Sequence, residues 1–185
     1  MKNVLPLLVL IMTFISCSKT EPAETVNVGG RYSLDLPKSF KKAKGLNPEA
    51  SLEYMDAANR LYVIVIDEQK DAVINAIVEN GLENTYSPDL NGYSQLLADT
   101  MKPNLKAGTI EPFKDTIING LKARKTDLEG IVENLRIHYK LGVVEGKNRF
   151  YQIMTWTAPD DLQKNQEEMQ AIINSFKETD RSVAK

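Results

Sequence analysis

Cysteine, histidine and tryptophan each occur once in these 185 residues. A single cysteine excludes a disulfide framework and any multi-cysteine zinc site. A single histidine removes most other metal constellations and leaves one imidazole for base chemistry. Charge of one sign is also lacking, since 23 Lys and Arg stand against 25 Asp and Glu for a formal net charge of −2. That balance argues against a nucleic-acid binder. There is no G-x-G-x-x-G, G-x-x-x-x-G-K-[ST] or G-x-S-x-G stretch, so neither a phosphate cradle nor a nucleophile elbow is expected. No apolar run reaches the ~20 residues of a bilayer-spanning helix. What remains is ordinary: 42% hydrophobic and 26% charged residues, enough for one globular domain or two very small ones.

The longest apolar run lies at the start. Met1-Lys2-Asn3 is short and basic, and VLPLLVLIMTFI follows from Val4 to Ile15. As a helix these twelve residues would span only about 18 Å, so the segment reads as a secretory signal. It closes on Phe14-Ile15-Ser16-Cys17. A small residue directly before a cysteine at the end of a signal resembles the lipobox of bacterial lipoproteins. That resemblance implies a mature chain beginning at Cys17, the lipid attachment site, with thioether-linked diacylglycerol as its membrane anchor. An ordinary cleaved signal is the alternative. Ser18 rather than Asp follows the cysteine, which by the enteric sorting rule points to the outer membrane of a bacterial envelope.

Residues 1–16 are therefore assigned to the signal peptide, 17–30 to the lipidated cysteine and a flexible tether ending in Gly29-Gly30, 31–177 to the folded domain and 178–185 to a polar tail. Within the domain, Tyr32, Leu34 and Leu36 alternate with polar residues, and Pro37 stops that strand. Residues 51–55 and 61–66 predict a hairpin, whose second strand (LYVIVI) is apolar on both faces and so central. Ala72, Val73, Ala76 and Ile77 trace a helix closed by Gly81, and a second helix starts at Ser87-Pro88-Asp89 and ends at Pro103. Four strand-like stretches follow over 109–119, 121–128, 134–144 and 148–157, with turns at Gly120, Gly130 and 145–147. A last helix opens at Pro159-Asp160-Asp161 and buries Met169, Ile172, Ile173 and Phe176. The order predicts an α+β fold, a three-layer α/β/α sandwich around a mostly antiparallel sheet.

Several of these residues resemble markers of PsbP-like domains: Leu36-Pro37 at a strand end, Tyr62-Val63-Ile64-Val65 in a hairpin, Asn119-Gly120 before a strand, Tyr151-Gln152-Ile153, and Ile172-Ile173-Asn174-Ser175-Phe176 closing the last helix. Such domains are α/β/α sandwiches that also occur in bacterial envelope lipoproteins, and members of known function bind or assemble other proteins. The resemblance implies no catalytic residue.

Candidate chemistry is sparse. His138 shares a polar strand face with Arg136 and Lys140, where neighbouring cations disfavour its protonation. Asp67-Glu68 reads as the start of a loop, and the Asp160-Asp161 and Glu167-Glu168 pairs as a helix-dipole pair and a solvated face. Lys38, Lys41, Lys42 and Lys44 form one basic cluster, and Lys122, Arg124 and Lys125 a second. Either reads as solvated surface or as a contact for anionic headgroups or an acidic partner. Tyr151 and Trp156 read as core between the sheet and the last helix. No catalytic residue, cofactor or metal is expected. The function expected is a lipid-anchored, non-enzymatic envelope protein that binds or helps assemble a protein partner, with a carrier of a small apolar ligand as the alternative and an enzyme third.

Overall fold

A computed structural model describes residues 22–179, so the expected signal, the lipobox-like stretch and Cys17 lie outside the described residues. In chain order the elements are β1 (Ala23–Val28), β2 (Tyr32–Pro37), β3 (Lys41–Lys42), β4 (Leu52–Asp56), β5 (Leu61–Gln69), α1 (Lys70–Glu79) and α2 (Leu90–Met101). These are followed by β6 (Lys106–Ile110), β7 (Lys114–Ile118), β8 (Leu121–Val132), β9 (Leu135–Glu145), β10 (Arg149–Thr157), α3 (Leu162–Ser175) and β11 (Lys177–Glu178). Eight strands form one sheet in the order β3-β4-β5-β10-β9-β8-β6, with β7 also paired to β8, and β1-β2-β11 form a small second sheet. Every pairing is antiparallel.

Alternation along β5 and β10 sets the two faces of the large sheet. Leu61, Val63, Val65, Tyr151 and Ile153 pack against α3 and β2, with Met169, Ile172, Ile173 and Phe176 closing from above. Phe150 and Met154 point the other way and join Val73, Ile77, Leu90 and Tyr93 beneath α1 and α2. The run LYVIVI is thus central and covered on both sides, and the layers are helix, sheet, and helix beside a small sheet. That last layer refines the expected sandwich, because half of it is β2 with its neighbours.

Four points of the sequence reading differ in the structure. Residues 23–28, read as tether, form β1. Val26 and Val28 pack on the core, while Gly29 and Gly30 at φ 53° and 68° supply the two left-handed positions of a primed hairpin turn. The folded unit therefore begins at about residue 23. At its other end Glu178, assigned to the tail, belongs to β11. Gly130 is not a turn but lies buried inside β8, where an added Cβ would stand 3.0 Å from Leu105. The reversal comes at Glu133-Asn134, both at positive φ. The stretch 109–119 is broken by Pro112 into β6 and β7, both on β8.

Candidate functional site

The face covered by α1 and α2 is incompletely filled. Between the two helices and the sheet lies a cleft of about 430 Å³, within the usual range for a small-molecule pocket of roughly 300–1,000 Å³. Its walls are apolar, with Ile66 from β5, Val73 and Ile77 from α1, and Leu96 and Leu97 from α2. Helical spacing brings these leucines to one side, and α2 is started by Asp89, whose side chain accepts from Gly92 N at 2.9 Å. The Ser87 hydroxyl does not cap the helix but donates to Asp89 at 2.6 Å. Gly92 is required there, since a Cβ would stand 1.9 Å from the Ser87 carbonyl.

At the base of the cleft three polar side chains converge. Gln152 Nε2 of β10 donates to Glu68 Oε2 at 2.9 Å and to the Tyr93 hydroxyl at 2.8 Å. The Tyr93 hydroxyl in turn donates to the same carboxylate oxygen through a short bond. Burial of Tyr93, then the charge of Glu68 and the bond to it, push the phenol far above its ordinary value, so it stays protonated and acts as a donor. Tyr93 is held in place by stacking on Phe150, centroids 4.5 Å apart. No Lys or Arg lines the cleft, and among the described residues Glu68 has no ion-pair partner. The arrangement can bury an apolar body and hold a hydrogen-bonding head at its floor.

Sequence reasoning missed this triad. Asp67 and Glu68 read as a loop, but β5 runs on to Gln69, and its alternation sends the two carboxylates to opposite faces. Asp67 points away, paired with Arg149 at 2.8 Å and Arg31 at 3.3 Å. Continuation of the period-two pattern beyond Ile66 was the available signal. The meeting of Glu68 with Tyr93 and Gln152, 25 and 84 residues away, has none.

His138 lies on the α3 face, away from the cleft, and is buried at 5% exposure. It does share its face with Arg136 and Lys140, but β8 sets Glu129 2.9 Å and Asp127 3.6 Å from its ring. Burial opposes the imidazolium, yet the bonds and charges of these two carboxylates outweigh it and raise the pKa. The expectation of disfavoured protonation is therefore reversed. Trp156 is also corrected. It is five residues from the core residue Tyr151, and an odd spacing in a strand puts it on the opposite face. There it stacks on Tyr62 at 5.2 Å and lies 5.9 Å from Tyr139, a half-buried aromatic ladder across β5, β10 and β9. The second basic cluster divides: Arg124 pairs with Asp115 at 2.8 Å, and Lys125, one residue on, turns to the other face and donates to Asn174. Among the described residues no group of three His, Cys, Asp or Glu is placed to hold a metal ion, and no helix is long and apolar enough to cross a membrane.

No family model and no curated protein matches this sequence. Among solved structures the chain is similar to cyanobacterial PsbP (CyanoP) from a Synechocystis species, with a TM-score of 0.56 at 10% identity over 90% of this chain and 98% of that one. It is also similar to a Pseudomonas aeruginosa protein of unknown function, with a TM-score of 0.51 at 11% identity over 88% and 97% of the two chains. The fold is PsbP-like, as the sequence markers implied. At these identities the likeness is one of fold, which hosts many functions.

Proposed function

We propose that this chain is a non-enzymatic, lipid-anchored protein of the bacterial envelope whose domain carries a small, largely apolar ligand. The observation that carries the reading is the cleft between α1, α2 and the sheet, mostly apolar along its walls and with the hydrogen-bonded group Glu68–Tyr93–Gln152 at its floor. Such a site buries most of a small ligand and orients it by a few polar groups. The one imidazole, His138, lies across the sheet from it and is engaged by two carboxylates, which favours binding over acid–base chemistry. The anchor and the outer-membrane address rest on Phe14-Ile15-Ser16-Cys17-Ser18.

Native mass spectrometry of the full-length protein, gently extracted from its membrane, tests the carrier. One bound species at a fixed ratio is expected, and it should be lost from Leu97→Trp, which fills the cleft, while circular dichroism stays native. An empty protein, or the same species retained by the filled variant, refutes the reading. Intact mass tests the anchor separately: Cys17→Ala should carry no acyl chain.

A second reading has its own support. The half-buried ladder Tyr62–Trp156–Tyr139 is the kind of aromatic surface enriched at protein interfaces. In-cell crosslinking of the full-length chain should then capture one envelope protein at near-equal amounts, and Trp156→Ala should release it. Scattered abundant proteins only would speak against an assembly partner.

A further inference from the structure

The start of the folded domain lies beside the lysine cluster. Ala23, the first residue of β1, is opposite Pro37 in the register of β1 and β2, and the Pro22 carbonyl accepts from Lys38 N at 3.2 Å. From Cys17 to Pro22 is five residues, a span of at most about 18 Å when extended. Lys38, Lys41, Lys42 and Lys44 are all exposed, and Lys41–Lys42 is β3, the terminal strand of the large sheet. Among the described residues none of the four ammonium groups is paired with a carboxylate; Lys41 Nζ donates only to the Lys38 carbonyl at 2.9 Å. Lysines on an edge strand also deter edge-to-edge pairing, but that role needs no particular placement relative to an anchor.

We propose that this edge of the domain docks on the bilayer that holds Cys17, with Lys38, Lys41, Lys42 and Lys44 against anionic lipid headgroups. The inference rests on the lipid-anchor reading and adds an orientation to it. A leash this short keeps the cluster within reach of the surface, where each lysine gains on the order of 1 kcal/mol from anionic lipid within a Debye length. The domain would therefore present one edge rather than tumble. Glu49, on the rim of the cleft, follows Lys44 by five residues, so docking would bring the cleft mouth close to the lipid.

The full-length acylated protein, reconstituted in vesicles, provides the test. With Cys17 consumed as a thioether, a single engineered thiol takes a fluorophore selectively, at Lys44→Cys or at Leu135→Cys. Leu135 is exposed at the start of β9, four strands along the sheet from β3. Quenching by headgroup-nitroxide lipid is compared on phosphatidylcholine vesicles and on vesicles with about a third phosphatidylglycerol. At position 44 quenching should rise about twofold on the anionic vesicles and return to the zwitterionic level in about 0.5 M salt. It should also do so when Lys38, Lys41 and Lys42 are changed to Gln, and position 135 should respond to none of these. Equal quenching at both positions, or no dependence on lipid charge, overturns the docking surface while leaving the anchor intact. A chain whose intact mass shows no acyl group at Cys17 overturns the anchor reading and the docking with it.

Discussion

The two faces of the large sheet are built to different standards. Beneath α3, Met169, Ile172, Ile173 and Phe176 are each 1% exposed or less, and Tyr32, Tyr151 and Phe176 pack ring against ring. The helix is tied down at its end as well, since Asn119 Nδ2 donates to the carbonyls of Asn174 and Phe176 at 3.0 and 2.7 Å. Beneath α1 and α2 the leucines Leu96 and Leu97 stay half-buried, and the space they leave is the cleft. One sheet therefore supports a closed core on one side and an open site on the other. The closed face holds the fold rigid enough for the open face to remain unfilled, because cavities and half-covered apolar groups forgo stability that must come from elsewhere.

The largest test of that contrast is Phe176→Ala. It should lower the unfolding free energy by about 3–5 kcal/mol, whereas Leu97→Ala in the cleft wall should lose only about 1 kcal/mol, since part of its surface is already in water. Equal losses in urea denaturation would erase the distinction between the faces. Gly142→Ala comes next: its Cβ would stand 2.6 Å from Ile173 Cγ2, so overpacking of the closed face should cost about 1–3 kcal/mol. A neutral result would mean that α3 can move away freely. On the open face Tyr93→Phe removes the phenol from Glu68 and should cost about 1 kcal/mol, with a larger effect on ligand retention than on stability. If retention is unchanged, the triad is not the floor of the site.

The smallest effect expected is a pH dependence from the closed face. The folded-state pKa of His138 is raised above its ordinary 6.5, so its stabilisation is full below that value and fades as pH climbs through the raised one. Between about pH 6 and about pH 8 the urea midpoint of the wild type should fall by a component that His138→Gln lacks. Parallel slopes for the two proteins would remove His138 from the account.

How far the fold was legible follows from which patterns are local. The apolar run Leu61–Ile66 announced a strand covered on both faces, Asn119-Gly120 announced a hairpin, and Ile172, Ile173 and Phe176 announced the helix face that closes the core. All three are short-range signals of period or turn type. β1 was obscured because an edge strand with one half-covered face offers only Val26 and Val28, followed by a Gly-Gly pair that serves equally in a tether or a primed turn. Gly130 has the local look of a turn glycine, because only the packing of Leu105 against it explains the missing side chain.

The sequence by itself determined the class of fold and the periodicities that assign each strand and helix its apolar side, since those depend on neighbours within one or two turns of chain, and it holds the Phe14-Ile15-Ser16-Cys17 pattern on which the proposed anchor rests. Tertiary structure alone decided that Glu68, Tyr93 and Gln152 meet, that His138 is buried between two carboxylates, and that Lys38–Lys44 lies beside the start of the domain. Each of these joins residues from separate strands and helices, and their distance is set by sheet register and helix placement, which no local pattern encodes.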